Sequence, residues 1–128
     1  NFVRIEYMPH REVMQEIQRS QVLLLLINNT PNAKGILTGK VFEYLGSGRP
    51  ILSIGPEDGD AAEILNNTGA GKTADYTNEA KMQLIIGEYF SKFQKQALES
   101  NNASSAKFSR KALTGEIAGV LEGMLNKY

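Results

Sequence analysis

TGKVFEYLGSGRPIL, residues 38 to 52, decides how this chain is read. Val41, Phe42 and Leu45 recur at helical spacing, which predicts a helix over 39–46 with its apolar side against a core. GSGR ends that helix, because two glycines and the proline that follows interrupt it. PILSIG (50–55) is then an apolar run of strand length. One feature of the helix is odd. It opens on Gly39 and Lys40, although a helix N-terminus carries partial positive charge and disfavours a cation.

Working outward, the same alternation continues in both directions. FVRIEY (2–7) alternates apolar and polar residues and predicts a strand. HREVMQEIQRS (10–20) places Val13, Met14 and Ile17 on one helical face, with Pro9 just before it. QVLLLLIN (21–28) is continuously apolar, as expected of a strand covered on both faces. NNTPNAKGILT (28–38) is a polar loop, and PEDGD (56–60) is another, with Asp60 placed to cap a helix over AAEILNN. AGKTADY (70–76) predicts a fourth strand. Two helices complete the chain. Over 79–97 the stripe is Met82, Ile85, Ile86, Tyr89, Phe90 and Phe93; over 107–126 it is Leu113, Ile117, Val120, Leu121 and Met124. ESNNASS (99–105) reads as the loop between them. Four strand–helix repeats predict a Rossmann-like α/β three-layer sandwich with a mostly parallel sheet. Ligands of such sheets bind beyond the carboxyl ends of the strands, so functional residues are expected near 8–10, 28–40 and 55–61. The opposite edge, near 47–49 and 67–71, is expected to be structural.

Composition narrows the function classes. The 128 residues suit one domain, and 14 Lys plus Arg balance 14 Asp plus Glu. A neutral chain lacks the basic excess of a general nucleic-acid or membrane binder, although one local anion pocket remains compatible with it. There is no cysteine and a single histidine, His10, which excludes thiolate chemistry, disulfides and a histidine-rich zinc site. His10 itself reads as a residue at a helix start. The longest apolar run, VLLLLI, is too short to span a bilayer. No secretory leader pattern is readable, so Asn28, Asn66 and Asn102, which begin N-x-Ser/Thr patterns, read as chance matches. The first residue is not methionine, and the chain reads as a piece of a longer protein.

TGAGKT (68–73) resembles the end of a phosphate-binding P-loop but fails two tests. The glycine required before Gly71 falls at position 66, which is Asn66, and the stretch leaves a helix for a strand rather than the reverse. Gly69 and Gly71 read instead as a helix C-cap and a turn. Asp58 and Asp60 read as turn chemistry rather than metal ligands, Arg49 and Glu63 as surface.

The odd lysine acquires a purpose if negative charge arrives from outside. The N-terminal amides of a helix are unpaired, Gly39 admits close approach, and Lys40 adds a full charge; together they form a cradle for a phosphate or diphosphate. Glu43 lies three residues on, on the same face, where a carboxylate can accept from the two hydroxyls of a ribose. Two plain alternatives stay open: Lys40 and Glu43 as a surface ion pair, and Gly39 as an ordinary N-cap.

GKVFEYLGSGRPIL, preceded by YMPHREVMQEIQRSQVLLLLI and followed by GPEDGDAAEILNNTGAGKTADY, resembles the C-terminal, nucleotide-sugar-binding domain of GT-B glycosyltransferases of the group 1 or family 4 type. The resemblance covers about residues 3 to 125. It implies that residues 1–128 form a single donor-binding, Rossmann-like domain, the C-terminal half of a GT-B fold. Glu43 then stands at the ribose, Lys40 with the amides of Thr38 and Gly39 at the diphosphate, and Tyr7, Met8 and Pro9 beside the nucleobase. The loop 56–60 lies near the same cleft, and the final helix resembles the one that crosses toward the N-terminal domain. The implied substrate is a nucleotide diphosphate sugar, with no separate cofactor and no metal. The implied partners are the N-terminal GT-B domain and a glycan or lipid-linked acceptor, with no nucleic acid. The implied location is the cytoplasm, peripheral to the inner face of the membrane. The family's first glutamate, eight positions before Glu43, is replaced by Gly35, which leaves donor-sugar recognition without its usual acid. No general base is readable, so the domain alone is expected to bind nucleotide but turn over little. The alternatives on the same fold are a nucleotide-sugar epimerase and a non-catalytic interaction module.

Overall fold

A computed structural model describes residues 2–98 and 106–125. The predicted loop 99–105 and residue 126 lie outside the described residues. The chain forms α1 (His10–Arg19), β1 (Leu23–Leu26), α2 (Gly39–Ser47), β2 (Ile51–Ile54), α3 (Asp60–Thr68), β3 (Gly71–Ala74), α4 (Glu79–Gln94) and α5 (Arg110–Leu125). Short 3-10 turns occupy Ala33–Gly35 and Ala106–Phe108. The three strands pair in parallel in the order β1–β2–β3, with Leu23 opposite Ile51 and Ile51 opposite Gly71. This is an α/β architecture with a small, open parallel sheet and helices on both faces, compatible with a Rossmann-like fold.

Two cores sit on the two faces of the sheet. On one, Leu23, Leu25, Ile27 and Ile51 meet Ile17 of α1, Val41 and Leu45 of α2, and Ala61 and Leu65 of α3. On the other, Leu52 and Ala74 meet Ile85 and Tyr89 of α4. The helix of the opening stretch is therefore anchored as its spacing predicts: Val41 and Leu45 are buried, and Phe42 is half-buried with its ring 6.1 Å from that of Phe108. Gly48 and Gly69 end α2 and α3 in the left-handed conformation, at φ 69° and 65°, which glycine adopts without strain.

Several expectations are corrected. Residues 2–7 are not a strand, and Phe2, Val3, Ile5 and Tyr7 are exposed: among the described residues no strand pairs with them, and an alternating pattern alone cannot supply ladder partners. Among the described residues the sheet therefore has three strands where four were expected. β1 is not covered on both faces: Leu23 and Leu25 are buried while Leu24 and Leu26 are exposed, because α4 packs over β2 and β3 and leaves the face of β1 open. For the same reason Ile86, Phe90 and Phe93 of the α4 stripe stay exposed and only Ile85 and Tyr89 are buried. The whole α5 stripe, Leu113, Ile117, Val120, Leu121 and Met124, is exposed as well. α4 ends at Gln94 rather than 97. Asp60 is the first residue of α3, not its cap; Gly59 holds the cap position. Gly71 opens β3 instead of forming a turn. Arg49 is half-buried and donates from its guanidinium to the Gln18 carbonyl at 2.5 Å, fastening α2 to α1.

Tyr89 supplies a test of the second core. Its hydroxyl donates to the Ile51 carbonyl at 3.1 Å, and burial, reinforced by the nearby Glu88 carboxylate, pushes the phenol up to about 12. A group whose pKa is raised by folding stabilises fully below its unfolded value, about 10, and loses that contribution as pH rises toward 12. Tyr89→Phe should therefore cost about 1 kcal/mol at neutral pH, the net worth of one hydrogen bond. It should also flatten the fall in stability between pH 10 and 12, read as the difference from wild type in urea denaturation across that range. At acid pH the sign reverses. Lys72 and Lys92 hold the Glu88 carboxyl below its ordinary range, so their pairing stabilises above that range and is lost as pH falls below it, through the lowered folded value.

Candidate functional site

The strands run in parallel, so the loops leaving them, 27–38, 55–59 and 75–78, gather at one edge of the sheet. Polar contacts tie these loops together. Tyr76 donates its hydroxyl to the Asn28 carbonyl at 3.2 Å, Lys34 pairs with Asp58 at 2.5 Å, and Glu57 accepts from Lys81 at 2.5 Å and from the Asp75 amide at 3.1 Å. The Asp58 carboxyl is held below its usual range by the Lys34 ammonium. Both partners of that pair are exposed, so it orients the loop more than it stabilises the fold.

Gly59 lies tight against the Ala33–Gly35 turn at this edge. A Cβ there would lie 3.0 Å from the Lys34 carbonyl oxygen and 3.2 Å from its Cα, both backbone atoms that no rotamer change can move. Gly59→Ala should push the turn Ala33–Gly35 away and cost about 1–3 kcal/mol, as overpacking does. Amide shift changes concentrated at residues 33–38 would report the displacement; an unchanged spectrum there would refute it.

α2 begins at this edge. Thr38 holds the cap position in extended conformation, but its side chain makes no capping bond; its carbonyl accepts from the Val41 amide at 3.0 Å. The first turn of α2 contains no acid. Every other described α-helix satisfies or neutralises its N-terminus. α1 carries Glu12, α3 carries Asp60 and Glu63, α4 carries Glu79 and the Asn78 side-chain cap, and the Ser109 hydroxyl accepts from the Ala112 amide at the start of α5. At α2 the space beside Gly39 is open, with no atom within 4 Å of a Cβ placed there. Lys40 and Glu43 are exposed, and neither side chain forms an ion pair or hydrogen bond with a described residue. Of the two plain alternatives, the Lys40–Glu43 ion pair is thus not formed, and Thr38 rather than Gly39 is the N-cap residue.

The remaining candidates are less closely joined. α1 packs against α2 and passes through residues 20–22 into the start of β1, so its N-terminus faces back toward the same edge. Pro9 is the cap residue of α1, His10 its first residue, Met8 half-buried and Tyr7 87% exposed. Four of the surface cavities formed by described residues are lined by none of Tyr7, Met8, Pro9, Thr38, Gly39, Lys40 or Glu43. One, of about 530 Å³, lies at the opposite edge, between Gly48, Gly69, Lys72 and Lys92. The P-loop look-alike lines it as helix end and strand start, so the inverted context expected for TGAGKT is found. No group of three or more metal-ligating side chains occurs among the described residues, and none of their helices is long and apolar enough to cross a membrane.

Sequence reasoning missed the loop-tying pairs Lys34–Asp58 and Glu57–Lys81. Each joins residues 24 apart, and no local pattern marks them.

The fold and the site define a small parallel α/β protein with an uncapped, lysine-bearing helix N-terminus at the carboxyl edge of its sheet. Comparison with protein-family models, with curated proteins and with solved structures finds no match to this chain.

Proposed function

We propose that the chain is the donor-binding domain of a GT-B-type glycosyltransferase. The full enzyme would move a sugar from a nucleotide diphosphate sugar to a glycan or lipid-linked acceptor. The observation that carries the reading is the α2 N-terminus: alone among the described α-helices it has neither a side-chain cap nor a first-turn acid, and it presents Lys40 without a partner. In this reading the amides at Thr38 and Gly39 and the Lys40 ammonium hold the diphosphate, and Glu43 accepts from the ribose hydroxyls. Tyr7, Met8 and Pro9 flank the base. Fixed positive charge at the departing diphosphate lowers the barrier to sugar transfer, since donors already aimed at developing charge need no reorganisation. The partner domain supplies the acceptor side, and Gly35 in place of an acid leaves the donor sugar without the family's usual carboxylate contact.

A non-catalytic interaction module is the second reading, favoured by the exposed apolar stripe of α5 and by Leu24 and Leu26. Titrating UDP, GDP and ADP into the protein while following backbone amides separates the two. Saturable shifts centred on residues 38–43 are expected for a donor site. No saturable shift with any of the three nucleotides would overturn the proposal in favour of the module.

A further inference from the structure

We draw no further inference here: the strongest candidate, the apolar face made by Leu24 and Leu26 of β1 with the adjoining groove lined by Val22, Leu52, Ile86 and Phe90, is unpartnered among the described residues and nothing in the structure shows what covers it.

Discussion

Gly71→Ala is expected to lower the stability of the fold by about 3 kcal/mol or more, the upper end of what overpacking a core costs. A Cβ at Gly71 would sit 2.3 Å from the Ile51 carbonyl oxygen and 2.8 Å from the Ile51 Cβ. Ile51 is fully buried and is the register partner of Gly71, so neither residue can retreat without opening the β2–β3 ladder. Set against a total of about 5–15 kcal/mol for a typical domain, that loss is large. The urea midpoint should fall by roughly 1–3 M, given a typical slope of about 1–3 kcal/mol/M. Gly87→Ala is the matched control. Gly87 lies within α4 with nothing within 4 Å of an added Cβ, and the change should raise stability by about 0.5–1 kcal/mol through helix propensity. Equal midpoints for Gly71→Ala and wild type would show that the two strands do not approach as described.

The second large effect concerns the proposed site. Lys40→Ala should weaken binding of a nucleoside diphosphate about tenfold, since a charge-assisted hydrogen bond contributes about 1.5–3 kcal/mol and an exposed one falls at the low end. Glu43→Ala should weaken the same ligand but leave inorganic pyrophosphate unaffected, because its assigned partner is the ribose. Lys40→Ala should weaken both. Calorimetric titration of the two ligands into the two variants gives four affinities, and the pattern matters more than any one of them. Both side chains are exposed and unpaired, so neither substitution should alter the fold, and unchanged circular dichroism checks this. Equal affinity of wild type and Lys40→Ala for pyrophosphate would remove the cradle. Shifts clustering instead near Gly48, Gly69 and Lys92 would move binding to the cavity at the opposite edge.

Much of the site's local anatomy was legible in residues 38–52. The helix, its buried Val41 and Leu45, its end at Gly48 and the strand that follows all depend on neighbours within a turn or two. The unpaired state of Lys40 was not legible, since a glutamate three residues away is as compatible with an ion pair as with a ligand. The inverted context of TGAGKT was readable because a helix end and a strand start are local events.

The amino-acid sequence by itself determined the succession of helices and strands from α1 to α5, through apolar spacing, glycine caps and prolines that act over a few residues. Only the tertiary structure decided which apolar faces are covered. Leu24 and Leu25 are indistinguishable in VLLLLI, yet one is half exposed and the other buried, because α4 lies over β2 and β3 and not over β1. The same holds for FVRIEY, strand-like in pattern but without a ladder partner, and for Gly71, whose need to be glycine comes from a carbonyl twenty residues away. Burial and pairing are properties of two surfaces meeting, and a local pattern specifies only one of them.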